Sequence, residues 1–281
     1  MPELPEVDAL AEFLRRKIVG DFVERIDIAE LSLLKTVDPS LDSLAGLEIT
    51  GTARVGKSLI IEFAGLDLVC RFARAGWLVW HDRVPTAPLK MGKGPLGMRI
   101  RLASGAGIDL TEAGTKKNAS VALVSDRAEV AALAASGPDA LKVDDDQFAV
   151  ALSTSHGRIK NVLEDQEIIA GIGNAYSDEI LHTAKISPFA PADSVDAGRL
   201  LAAIHTVLGA AREALIGLPP SKVKAAKKRG FSVHGRTGQP CPVCGSTIAE
   251  VSFAEKSLQY CPTCQTGGKK LSDRRMDRLL K

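Results

Sequence analysis

The sequence holds no apolar run that approaches a membrane span. Its N-terminus lacks the charged-then-apolar pattern of a secretory signal. Both absences point to a soluble, cytoplasmic protein, nucleoid-associated if the source is bacterial, and exclude a membrane partner. No internal repeat and no long low-complexity segment is present, which argues against solenoids and disordered tails. Cysteine is scarce, with five in 281 residues. An odd count without a signal peptide argues against a disulfide framework. Overall charge is nearly balanced at +2, yet unevenly placed. Residues 217–281 carry 13 Lys/Arg against 4 Asp/Glu, whereas residues 1–216 carry 23 against 30. A basic terminal module on an acidic body suggests a polyanionic partner, most simply DNA.

Four of the five cysteines form two knuckles, Cys241-Pro-Val-Cys244 and Cys261-Pro-Thr-Cys264, with sixteen residues between them. This spacing matches one structural zinc ion held by four thiolates, with room for a β-hairpin over 246–260. Four protein ligands leave no open position for catalysis. Cys70, left over in an apolar strand, reads as a small core residue.

At the other end stands Pro2-Glu3-Leu4-Pro5-Glu6-Val7. Removal of Met1 would expose a secondary amine on Pro2 beside the Glu3 carboxylate. Such an amine has an ordinary pKa of about 7.7–8.0, so part of it is unprotonated near neutrality and able to attack a sugar carbon. The plainer reading is a helix start, since Pro suits the first turn and Glu suits the helix dipole.

Val7, Leu10, Leu14 and Ile18 recur at helical spacing and predict a helix over 3–18. Short β runs follow to about residue 125, among them 21–28, 58–63, 66–72, 77–80, 98–102 and 108–111. A short helix over 128–135 ends at Gly137-Pro138. The chain then turns helical, with Asp144-Asp145-Asp146 placed to cap 147–152, a helix at 158–164, Asn174 capping 175–184, and Ser194 capping a long helix whose apolar stripe runs from Leu200 to Leu215. The fold class is α+β. A β-sandwich domain with a packed N-terminal helix occupies 1–135, a helical domain 136–216, and a basic segment with the zinc hairpin 217–281. The Gly171-Ile-Gly173-Asn174 turn opens a helix whose N–H groups suit a phosphate, although alone it is more often a plain helix connection. The basic run Lys222, Lys224, Lys227, Lys228 and Arg229 reads as a phosphate-contacting strip.

Taken with Lys57 after a strand, QEIIAGIGNAYSDEIL at 166–181 and HGRTGQPCPVCG at 234–245, these ends resemble the formamidopyrimidine-DNA glycosylase/endonuclease VIII family of base-excision repair enzymes across the whole chain. The resemblance implies a bifunctional glycosylase and abasic-site lyase acting as a monomer on damaged double-stranded DNA, with the DNA between the two domains. It assigns Pro2 as nucleophile, Glu3 as proton shuttle, Glu6 as a supporting residue and Lys57 as a cation by the amine. Asn174 matches the phosphate-binding asparagine of a helix–two-turn–helix motif, assisted by Lys160. The reaction would require the damaged nucleotide to be flipped out of the duplex.

Three departures stand out. The hairpin arginine of the family is replaced by Lys256, which keeps charge but loses bidentate geometry. The first wedge loop, 72–76, lacks the family's Met and the second, 114–118, lacks its Phe; Arg74, Lys116 or Lys117 stand there to fill the gap instead. The 217–230 segment is short where purine-specific members carry a longer cap. Together these imply abasic sites as the best substrate, oxidised pyrimidines next and 8-oxoguanine opposite cytosine poorest. They also leave open an alternative, a binder of damaged or abasic DNA with little or no catalysis.

Overall fold

The computed structural model describes residues 1–86, 89, 91, 94–134, 137–253 and 256–271. The predicted end of the 128–135 helix, the 135/136 boundary, Glu255 and residues 272–281 lie outside the described residues. Two compact units are present: Met1–Ser136 with Arg212–Ala226, and Gly137–Ala211 with Lys227–Lys281.

The first unit opens with α1 (Leu4–Ile18), which Glu3 caps through a reciprocal box with Glu6. Arg15, Arg16 and Lys17 occupy its last turn, where they complement the helix dipole. Its i, i+3/i+4 face of Leu4, Val7, Leu10, Leu14 and Ile18 is fully buried, and α1 packs on the strands β2 (Ile49–Val55) and β3 (Ser58–Phe63). Eight strands follow: β1 (Val23–Ile28), β2 (Ile49–Val55), β3 (Ser58–Phe63), β4 (Leu66–Arg71), β5 (Gly76–His81), β6 (Leu96–Leu102), β7 (Gly107–Glu112) and β8 (Ser120–Val124). They pair antiparallel as β1-β6-β7-β5 and β2-β3-β4-β8. Period-two alternation sends Leu59, Ile61, Leu68, Cys70, Met98, Ile100, Ile108, Leu110, Val121 and Leu123 into one shared core with the α1 face. The opposite face of β3, β4 and β8 offers Ile60, Val69 and Val124, covered by Val130 of α2 (Arg127–Ala134). Residues 49–55, given no strand by sequence, form β2, which pairs with β3 in register from Ile49↔Phe63 to Val55↔Ser58.

The second unit holds α3 (Asp145–Ser153), capped by Asp144, the first of the three candidate aspartates, while Asp145 and Asp146 fall in its first turn; α4 (Ile159–Glu164) and α5 (Asn174–Thr183) follow. α6 (Ala197–Leu215) and α7 (Pro220–Arg229) each begin in one unit and end in the other. Ser194 belongs to a 3-10 turn, Ala192–Ser194; the N–H of Arg199 is taken instead by Asp196, at 3.0 Å. An antiparallel hairpin of β9 (Ala249–Ser252) and β10 (Ser257–Tyr260) leads into α8 (Pro262–Thr266). No helix among the described residues is long and apolar enough to cross a membrane. The structure groups residues 212–226 with the first unit, whereas the sequence reading divides the chain at 216/217.

Candidate functional site

Pro2 and Glu3 lie at the start of α1, and both are buried; Glu3 is 2% exposed and Glu6 1%. Glu6 accepts the N–H of Glu3 at 2.8 Å, so it fixes the backbone of the residue that carries the acid. A solvated helix cap would serve equally well at the surface, so burying two carboxylates here costs free energy that a cap alone does not require. Lys57 occupies the two-residue turn between β2 and β3, where Gly56 takes φ +55°, open to glycine at the first position of such hairpins. That turn is tied to α1 by charge. Arg54 Nη1 donates to Gly56 O at 2.9 Å, and Arg54 Nε donates to Asp8 Oδ1 at 2.8 Å. Arg212 Nε reaches the other oxygen of Asp8 at 2.7 Å. The Asp8–Arg54 link is 46 residues long in sequence, which is why no local pattern announces it.

Arg74 is exposed on the short loop from β4 to β5. Ala73 takes φ +46° there, in the left-handed region that costs a non-glycine residue about 1–2 kcal/mol. The Gly76 N–H donates to Phe72 O at 2.8 Å and closes the loop. The basic 220–229 run is helical. Val223 of α7 is fully buried in the first-unit core, and Trp77 Nε1 donates to Pro220 O at 3.2 Å. Lys224 stands over the Trp77 ring at 4.5 Å. In the second unit, Lys227 stands over Tyr176 at 4.8 Å, while Lys228 and Arg229 are exposed.

The Gly171–Gly173 turn is knitted by Gln166. Its amide donates to Glu164 O and Ile172 O at 2.7 and 2.8 Å and accepts the Gly171 N–H at 3.0 Å. Asn174 is the first residue of α5, and Gly173 takes the cap position that the sequence reading gives to Asn174. The Asn174 side chain reaches instead to the hairpin, where Nδ2 donates to Ser257 O of β10 at 3.0 Å. Asn174 Oδ1 is buried without a protein partner. This bond sets Asn174 beside the hairpin that carries Lys256.

Lys160 is placed differently from the surface cation that a phosphate contact requires. It is 5% exposed, and its ammonium is taken by Asp178 Oδ1 at 2.7 Å, Ser177 Oγ at 2.7 Å, Asn174 O at 3.1 Å and Glu164 Oε1 at 3.2 Å. With three N–H donors and four oxygen neighbours it has nothing left for an external anion. Asp178, wholly buried, also accepts from His234 Nδ1 at 2.7 Å and the Gln259 N–H at 3.1 Å. Glu179 accepts three successive N–H groups, of Ser232, Val233 and His234, at 2.7 to 2.9 Å. Burial pushes its carboxyl up, and those three donors pull it back. Lys256 is exposed and rests on Glu164 Oε2 at 2.8 Å.

The Sγ atoms of Cys241, Cys244, Cys261 and Cys264 all lie within 4.8 Å of one another, with 4.0 Å from Cys241 to Cys264 and 3.4 Å from Cys244 to Cys261. Four thiolates about 2.3 Å from one tetrahedral zinc stand about 3.8 Å apart, so this donor set fits the ion. Its electrostatics also require a cation. Hydrogen bonds from Ser246 lower the Cys244 thiol to about 6, while burial and the neighbouring thiols push Cys261 and Cys264 up. The whole cluster therefore ionises only around a positive ion. Gly245, at φ +75°, turns the first knuckle.

A β-sandwich with a buried Pro-Glu terminus, followed by a helical unit whose turn is bonded to a four-cysteine hairpin, has the architecture of a DNA glycosylase. Three family descriptions match it: formamidopyrimidine-DNA glycosylase N-terminal domain over 1–119, formamidopyrimidine-DNA glycosylase H2TH domain over 135–217, and the zinc finger found in FPG and IleRS over 238–267. Formamidopyrimidine-DNA glycosylase of Herpetosiphon aurantiacus is 33% identical over 285 residues, covering 94% of this chain and 100% of that protein. An uncharacterized formamidopyrimidine-DNA glycosylase-like protein of Mycobacterium tuberculosis is 58% identical over 148 residues, 52% of this chain and 94% of that one. Among solved structures, Lactococcus lactis Fpg with abasic-site DNA aligns with TM-score 0.82 at 25% identity, covering 94% of this chain and 99% of that one. MutM with DNA containing carbocyclic 8-oxo-G aligns with TM-score 0.83 at 26% identity, covering 94% and 100%. The chain belongs to the formamidopyrimidine-DNA glycosylase family, and its four cysteines hold one structural zinc.

Proposed function

We propose that this chain, acting as a monomer in base-excision repair, removes damaged bases from double-stranded DNA and cuts the strand through a Schiff base on Pro2. The observation that carries the reading is the buried Pro2–Glu3 start of α1, with the Lys57 turn tied to the same helix through Asp8 and Arg54. Once Met1 is removed, the Pro2 nitrogen attacks the anomeric carbon and the base leaves. The Glu3 carboxyl delivers the proton that opens the sugar ring. The resulting iminium acidifies the adjacent carbon, and loss of that proton expels the phosphate. Lys57 contributes positive charge, which favours the unprotonated amine.

Phosphate grip falls to Asn174 and Lys256, with Lys228 and Arg229 as exposed cations. Asn174 spends one amide N–H on Ser257 and has a second for a phosphate oxygen. The Lys256–Glu164 pair is exposed on its lysine side and worth at most about 1 kcal/mol, so a phosphate can displace it. Lys160 acts from behind, holding the Asn174 carbonyl. Residues 220–229 form a helix anchored through Val223 and Pro220, which supports the absence of a folded-over purine cap and hence the order abasic site, oxidised pyrimidine, 8-oxoguanine. Glu3→Gln should keep DNA affinity and lose most base removal, since the shuttle is gone and the phosphate contacts remain. Normal excision by that variant would overturn the assignment and favour the alternative of a binding protein.

A further inference from the structure

One contact to the four-cysteine cluster comes from outside its two knuckles. His182, in the last turn of α5, is 5% exposed, and its Nε2 lies 3.3 Å from Sγ of Cys241, itself 2% exposed. A zinc-bound thiolate has no proton to give, so the hydrogen must sit on Nε2 and point at the sulfur. Cys241 belongs to the first knuckle, whereas α5 begins 67 residues earlier at Asn174. The contact therefore runs between the helix opened by the Asn174 turn and the metal cluster, and neither the CxxC spacing nor the turn motif contains it.

We infer that His182 is a positioning residue of the zinc centre: its Nε2–H donates to the Cys241 thiolate, holds zinc more firmly and couples metal retention to α5. The hydrogen bond withdraws charge from a sulfur that shares one divalent ion with three other thiolates, whose mutual repulsion opposes full ionisation. By holding the sulfur it also orients this ligand toward the ion. Partners of this kind change metal affinity by about 10–100-fold. Shape is a separate matter, because a buried ring at this position also fills space. Phe keeps the ring and removes the donor.

The test uses the zinc-loaded full chain. His182→Phe should lose zinc to a chromogenic chelator about 10–100-fold faster than the parent. In the cobalt-substituted protein the sulfur-to-metal charge-transfer band should move to lower energy as the sulfur regains charge. Equal release rates and an unchanged cobalt band would reduce His182 to packing. A measurement on the unmutated chain guards against a variant that fails to fold. With cadmium-113 in place of zinc, the His182 Nε2 proton should show scalar coupling to the metal across the N–H···S bond. A slowly exchanging Nε2 proton without that coupling, or a ring protonated on Nδ1 alone, would overturn the inference.

Discussion

Asp178→Ala should destabilise the second unit by about 3–5 kcal/mol, the scale for stripping a buried charge of its partner. Asp178 is wholly buried, and its two oxygens accept from Lys160, His234 and the Gln259 backbone at 2.7 to 3.1 Å. Its removal leaves the buried Lys160 ammonium with a single carboxylate, Glu164, at the longer distance of 3.2 Å, and strands the Gln259 N–H. For a unit of this size the loss corresponds to a fall in melting temperature on the order of 10–20 °C. Asp178→Asn keeps an acceptor and should cost less, about 1–3 kcal/mol. Calorimetry gives the transition, and amide exchange at Gln259 and Asn174, compared with amides of β3 and β4, locates it. Exchange should accelerate in the second unit and stay unchanged in the sandwich. A loss under 1 kcal/mol for Asp178→Ala would refute the claim that this network organises the turn and hairpin.

Lys256→Ala should weaken DNA binding by about 1–3 kcal/mol and lower the slope of log affinity against log salt by about 0.9, as one phosphate contact is lost; an unchanged slope in a fluorescence titration removes Lys256 from the interface. Zinc binding should weaken as pH falls. Cys261 and Cys264 are held above the ordinary thiol range without a cation, so the ion must expel their protons and acid favours the empty, protonated cluster; a pH-independent zinc affinity between pH 8 and 6 would contradict this. Cys70, pushed up to about 12 by burial, should resist alkylation at pH 8 in the folded protein, and rapid labelling would place it outside the core. Single-turnover rates should rank abasic sites above oxidised pyrimidines and 8-oxoguanine opposite cytosine last, and fast 8-oxoguanine excision would show that the wedge and cap reasoning misreads these loops.

The sequence is most legible where the signal is local. The α1 stripe, the β3 span and the paired cysteine knuckles follow from spacings of a few residues, and all three stand where those spacings put them. What escapes is set by partners far away in the chain. Strand β2, broken by Gly51 and carrying Thr52 and Arg54, has little alternation of its own and exists because β3 pairs with it. Asn174 has the residue type of a helix cap, yet Ser257, 83 residues on, takes its amide. Lys160 and Lys227 read as surface charge, and only the packed second unit shows one buried among oxygens and the other over an aromatic ring. Gln166 lies inside a motif that carries the family resemblance and Asp8 directly follows another, but polar residues that close turns and pair with distant arginines have no periodicity to betray them.

The central claim is that the amine of Pro2 performs the chemistry. Borohydride reduction of the protein, with Met1 removed, on duplex DNA containing an abasic site tests it most directly, followed by mass mapping of the trapped peptide. The account predicts one covalent adduct on the peptide beginning at Pro2, reduced in yield by Glu3→Gln. No adduct, or an adduct mapped to Lys57 or another lysine, would contradict it.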